Sequence, residues 1–133
     1  MSIFAVGAYY DGDVSDDFIN HNIAGPGWGV TEAPELHQLT KSMKVGDFVY
    51  IKSYSPSSKY ICVKAIGVIV NDEIIEHSKI VCVGRNVRWI YKTSFQISKP
   101  TEKLNVRLNT MYEEFHPKVQ EEILNKIFYV LNA

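Results

Sequence analysis

Cysteine is scarce in this chain: Cys62 and Cys82 are the only two in 133 residues, and neither has a partner at metal-ligand spacing. A disulfide framework or a zinc-stapled scaffold is therefore not expected. Both cysteines lie in apolar, strand-like runs, where a free thiol behaves as a small hydrophobe, so they read as structural thiols in a reducing setting. The four histidines, His21, His37, His77 and His116, are scattered without an H-x-x-x-H spacing, and no G-x-S-x-G, P-loop or paired-cysteine motif occurs. No catalytic constellation is visible, and neither a metal nor a cofactor is expected. Long apolar runs are missing as well, and Met1 leads into the strand-like SIFAVG rather than into a basic leader. The expectation is a soluble, cytoplasmic protein with no membrane contact. No repeat, low-complexity tract or long linker divides the chain, so residues 1–133 read as one domain, long enough to bury its own core.

The formal charge of −1 conceals an asymmetry. Residues 1–40 hold six acids (Asp11, Asp13, Asp16, Asp17, Glu32, Glu35) and no Lys or Arg, whereas residues 41–92 hold nine basic groups against four acids. That middle section is able to present a local positive surface, although charge runs are as often plain solvated faces.

Residues 44–70, KVGDFVYIKSYSPSSKYICVKAIGVIV, organise the rest. Val45-Gly46-Asp47 is a tight turn in which glycine supplies backbone freedom and Asp47 bonds its neighbours. Two strands flank a polar loop at residues 53–59 and form an antiparallel hairpin, apolar at nearly every position and so covered on both faces. Gly67 within the second arm suits a bulge or a barrel corner. Ahead of the hairpin come a strand over residues 3–9, a helical turn at Ser15-Asp16-Asp17, a loop at residues 22–30, and a helix within residues 31–42 with Pro34 in its first turn and His37 on its exposed side. After it come a short strand at residues 80–83, the alternating strand RNVRWIYK at residues 85–92, weaker strands at residues 94–98 and 104–108, and an ambiguous segment at residues 110–115. Last is a helix from Pro117 to about residue 130. The expected class is α+β: a small β-barrel of mixed, mainly antiparallel strands, with short helices at its ends and a C-terminal helix packed on it.

Trp28 stands in Gly25-Pro26-Gly27-Trp28-Gly29, a loop whose backbone is free to take conformations that other residues forbid. It is either a lid over the barrel end or a presented stacking surface. Trp89 fits barrel core by its strand alternation and is also a candidate pocket wall.

Three features occur together: YYDG at the end of the first strand, Gly27-Trp28-Gly29 after a short helical stretch, and KVGDFVYIKS followed by KAIGVIV. Across residues 3–92 this resembles the PUA-like superfamily, and within it the EVE-type domains, with the C-terminal helix as an addition. The resemblance implies a PUA-like pseudobarrel whose pocket holds a flipped or modified nucleobase or another small planar ligand. By that resemblance Gly27, Trp28, Lys52, Ser53 and Tyr54 line the pocket mouth, with Tyr10 and Trp89 as further walls. An extruded base needs an aromatic face to replace lost stacking and polar groups for its edge. Lys59, Lys64, Arg85 and Arg88 are the candidate phosphate contacts, which position nucleic acid without reading it. The expected function is nucleic-acid binding with recognition of a modified base in DNA or RNA, without catalysis, alone or beside a nuclease or motor subunit. Two readings compete with it. One is an ASCH-like hydrolase of modified nucleosides or RNA built on Lys52, Tyr54 and Glu113; the other is a regulatory module in which Trp28 anchors a protein partner.

Overall fold

The computed structural model describes residues 1–9, 12–53, 59–99 and 110–132. Seven strands and three helices follow in the order β1 (Ile3–Gly7), α1 (Ser15–His21), β2 (Ile23–Ala24), α2 (Pro34–Ser42), β3 (Phe48–Ser53), β4 (Tyr60–Ile69), β5 (Arg85–Tyr91), β6 (Phe95–Ser98), β7 (Met111–Glu113) and α3 (Pro117–Leu131). The strands form one mixed sheet in the order β2-β5-β4-β3-β1-β7, with β6 pairing beside β5 along the other half of β4. It curls into a half-barrel, and among the described residues its end strands β2 and β7 are not paired with each other. Among the described residues only β1 and β3 run parallel, and the other pairings are antiparallel.

The hairpin expected at residues 44–70 is the β3–β4 pair. Its turn works as its chemistry suggests. Gly46 takes a φ of 93°, and the Asp47 carboxylate accepts from the Lys44 amide (2.8 Å) and, across to the start of β1, from the Ser2 amide (3.0 Å). One residue of the second arm is extra. Ile51 pairs with Ala65 but Lys52 with Val63, so Lys64 is bulged out of the ladder. Because side chains alternate, this insertion changes the face to which the strand's odd-numbered residues turn. Ile61 and Val63 join Tyr50, Ile97, Tyr112 and the buried face of α3, while Ala65 and Ile69 join Phe18, Val49, Trp89 and Met111 beneath α1 and α2. Two apolar layers result, one on each side of the sheet, which explains why both arms read as apolar throughout.

Gly67 lies next to a second register shift, between β4 and β5, and a Cβ there would collide with the side chains of Val87 and Trp89. The missing side chain lets the Trp89 ring lie against the strand, with its indole N–H donating to the Phe18 carbonyl (2.9 Å) at the end of α1.

Several expectations are corrected. Residues 80–83 do not form a strand; they are an irregular segment closed by the Ile75–Gly84 bridge, and Cys82 within it is exposed, whereas Cys62 on β4 is half-buried. His37 is buried, not exposed, because α2 turns that side toward the loop that follows β2. Gly25 supplies space rather than a special backbone angle: a Cβ there would run into the Val83 carbonyl of that irregular segment. The first strand ends at Gly7, two residues sooner than expected, and the ambiguous segment at residues 110–115 contains an edge strand, β7. The expected strand at residues 104–108 lies outside the described residues. No helix among the described residues is long and apolar enough to cross a membrane.

Gly67→Ala should destabilise the protein by about 1–3 kcal/mol, the usual cost of overpacking a filled core, and should perturb the near-ultraviolet dichroism of Trp89. Gly12→Ala, at a position where a Cβ meets no described atom within 4 Å, should change the urea midpoint little. Equal midpoint shifts for the two variants would refute this account of Gly67.

Candidate functional site

A groove of about 600 Å³ opens between α2 and β7. Leu36 and Leu39, one helical turn apart, and Met111 on β7 give it an apolar lining. Thr110 and Trp28, bonded to each other, belong to its lining, as do the acidic residues Glu32, Glu35 and Glu113. All three residues of β7 border the groove: Met111 belongs to the apolar layer beneath α2, strand alternation sets Glu113 on the same side, and Tyr112 between them packs into the layer under α3.

Trp28 is 49% exposed yet firmly placed. Its indole N–H donates to Thr110 Oγ1 (3.0 Å), which ties the loop to the start of the edge strand. Its carbonyl lies 2.7 Å from His37 Nε2. A carbonyl can only accept, so that nitrogen carries the proton. On the other side of the loop, the Pro26 carbonyl accepts from the Cys82 amide (3.0 Å) and the Gly27 carbonyl from the Cys82 thiol (3.1 Å). The Gly29 carbonyl accepts from the amides of Glu32 (3.2 Å) and Ala33 (3.0 Å), which leads the chain into Pro34 and α2. Burying His37 and exposing Cys82 therefore serve one purpose: both hold the loop that presents the indole.

Behind β7 lies a second polar assembly that the sequence reading missed. Tyr50 on β3 donates to Glu114 Oε1 (2.5 Å), and Glu114 Oε2 accepts from the His116 amide (3.2 Å) at the start of α3. Lys52, two residues along the same face, places its ammonium 3.1 Å from the Tyr112 hydroxyl and 4.3 Å from the ring centroid. All four side chains are buried. Burial pulls the Lys52 ammonium down to about 8, with the Glu114 charge opposing that shift in part. Burial also raises the Tyr50 phenol well above its usual value, reinforced by Tyr112 and Glu114. The signal for this cluster was the i, i+2 spacing of Tyr50 and Lys52, hidden because the arm looked apolar throughout.

The expected site residues separate into groups. Gly27 and Trp28 belong to the groove's loop. Tyr10 and Tyr54 lie outside the described residues, and Ser53 is exposed at the end of β3. Lys52 is corrected from pocket mouth to buried cluster, because alternation turns it toward the α3 layer. Trp89 is corrected to core, 5% exposed and locked to α1.

Among the phosphate candidates, Arg85 is 1% exposed. Its guanidinium donates to the carbonyls of Thr40 (3.1 Å), Met43 and Asn71 (2.9 Å), so it holds the chain to itself and is corrected to a structural role. Its odd position on β5, in step with Val87 and Trp89, was the legible sign. Lys64 pairs with Asp13, whose carboxylate is held at about 2 chiefly by that contact and by bonds from Ser15. Lys59 and Arg88 are exposed, but Arg88 sits on β5, four places from β7 in the strand order. The trio Lys52, Tyr54 and Glu113 is not brought together by its described members, since Lys52 and Glu113 face opposite sides of the sheet. No protein-family model matches the chain, and no curated protein does.

Lys52 gives a test of the buried cluster. A lysine near 8 in the folded state and 10.5 unfolded leaves the unfolded chain with more bound protons between those values, so stability rises with pH there. From pH 8 to pH 10 the gain should be on the order of 1–2 kcal/mol in urea unfolding. Above pH 10 the raised Tyr50 phenol acts in the opposite sense, because unfolding then releases its proton. Lys52→Met should abolish the rise below pH 10; an unchanged slope in that variant would refute the assignment.

Proposed function

We propose that the protein is a binding module for a nucleobase, modified or flipped out of its stack, taken against Trp28 in the groove between α2 and β7. One observation carries this reading: a half-exposed indole at the end of an apolar-lined groove is pinned by its bond to Thr110, and the loop that bears it is held through backbone carbonyls by His37 and Cys82, so its face is presented in advance of any ligand. Stacking on a fixed ring avoids the ordering cost that a mobile side chain would bring. The groove's volume suits a single base or nucleoside, and carboxylates and Thr110 supply polar groups for its edge. The PUA-like resemblance, carried by YYDG, the Gly27-Trp28-Gly29 loop and the β3–β4 hairpin, supports the same reading, and a mixed half-barrel with helices on both faces is compatible with it. In this reading nucleic acid is gripped mainly through the base. Of the four basic residues offered for phosphate, Arg85 and Lys64 are already engaged within the chain, leaving Lys59 and Arg88 for the backbone. Binding should accordingly depend only weakly on salt.

Trp28→Ala should weaken nucleoside or oligonucleotide binding by about 1–3 kcal/mol, the usual worth of base–aromatic stacking. Because the ring is half in solvent, the free variant should melt within a few degrees of the parent, unlike the loss of about 3–5 kcal/mol for a buried aromatic. A collapsed melting temperature without ligand would instead mark Trp28 as a lid. Unchanged ligand-induced stabilisation would reject the stacking role.

A further inference from the structure

We infer that the groove selects a base carrying a positive charge, an N-alkylated cationic nucleobase of the 7-methylguanine, 1-methyladenine or 3-methylcytosine type. The inference rests on the base-binding reading above and adds the property by which one base would be preferred over another.

Stacking on Trp28 cannot supply that preference, since every base has a π face. The edges must, and in charge the described lining is one-sided: beside the neutral Thr110 hydroxyl it offers the acidic side chains Glu32, Glu35 and Glu113 and no Lys or Arg. Ionised carboxylates only accept hydrogen bonds. An edge made of lone pairs would lose its water there without replacement, while an edge of N–H donors, or a ring with delocalised positive charge, would be satisfied. The three carboxylates do not form one solvated helix face. They come from the loop before α2, from its first turn and from β7, and so converge on the groove from both of its sides. None of them is in an ion pair among the described residues, where the two bridges are Lys41–Glu76 and Lys64–Asp13.

Trp28 adds to this in the same sense. Indole is the strongest of the aromatic faces for a cation, and a charged ring stacked on it is attracted by the ring quadrupole as well as by dispersion. Phosphate has the reverse fit. A polyanionic backbone brought to this mouth meets three negative groups, so the sugar and phosphate must point out of the groove while the base points in.

The test is a fluorescence titration with free nucleosides, in which buried Trp89 supplies a constant background and Trp28 the quenchable signal. 7-Methylguanosine, 1-methyladenosine and 3-methylcytidine are each compared with guanosine, adenosine and cytidine. At least one cationic nucleoside should bind about tenfold or more tightly than its neutral parent, as charge pairing in a partly desolvated site allows. The triple variant Glu32→Gln, Glu35→Gln, Glu113→Gln should weaken the cationic member of a pair more than its neutral parent, reducing that preference to about twofold or less, and should melt as before. Equal affinity for the cationic and neutral members of every pair would overturn the charge selection and leave base binding standing. A preference that survives in the triple variant would overturn the carboxylates as its source. Quenching by none of the six nucleosides would overturn both the inference and the reading beneath it.

Discussion

The placement of α2 depends on a buried cation that has no carboxylate within hydrogen-bonding distance among the described residues. Arg85 enters from β5, on the far side of the strand order from β7, and donates to the carbonyls of Thr40 and Met43 at the end of α2 and of Asn71 after β4. The last carbonyls of a helix have no partner within it and carry the negative end of its dipole, so a guanidinium is well suited to close them. Its planar fork can reach several acceptors at once, which an ammonium on a flexible stem does less well. Removing it would leave the buried carbonyls of Thr40 and Met43 without this donor, and α2, with Glu35, Leu36 and Leu39, would lose that anchor on the sheet. The groove is thus held from both ends: by Arg85 at the C-terminus of α2, and by the His37 and Gly29 contacts at its N-terminal side.

The hairpin, both long helices and the position of β5 were legible because they follow from local rules: a glycine–aspartate turn, prolines at two helix starts, and alternation along residues 85–91. The bulge at Lys64 was not. It requires knowing which residues of β3 and β4 face one another, and an arm that is apolar at nearly every position looks the same with or without an inserted residue. The expected strand at residues 80–83 failed for the converse reason. IVCV has the composition of a strand, but its neighbours use it to pack over Gly25 and to donate from Cys82 to the Trp28 loop, so tertiary demand overrode propensity.

At the site, the sequence marked the indole and misjudged its surroundings. Basic residues at positions 41–92 suggested a positive mouth, but charge along a chain says little about charge at a place in space. The fold spends Arg85 on carbonyls and Lys64 on Asp13, and it sets three carboxylates from the acidic first third and from β7 around the groove. In the sequence Glu32 and Glu35 figured only as two of the six acids in residues 1–40. Their convergence with Glu113 depends on β7 pairing beside β1, a contact between residues more than a hundred positions apart.

That same pairing links the groove to the order in which the sheet can be built. The hairpin of β3 and β4 joins neighbours in sequence, whereas β1 must wait for β3 and then for β7, whose residues Met111, Tyr112 and Glu113 lie opposite Val6, Ala5 and Phe4. Contacts of such long sequence separation bear the largest loop-closure cost, so they form late in folding. One wall of the groove is such a strand, at one end of the described sheet and joined to it through three residue pairs. A molecule bridging α2 and β7 would do more than occupy a site; it would act as a clasp, slowing the fraying of the terminal strand and making the lifetime of the folded edge depend on what is bound.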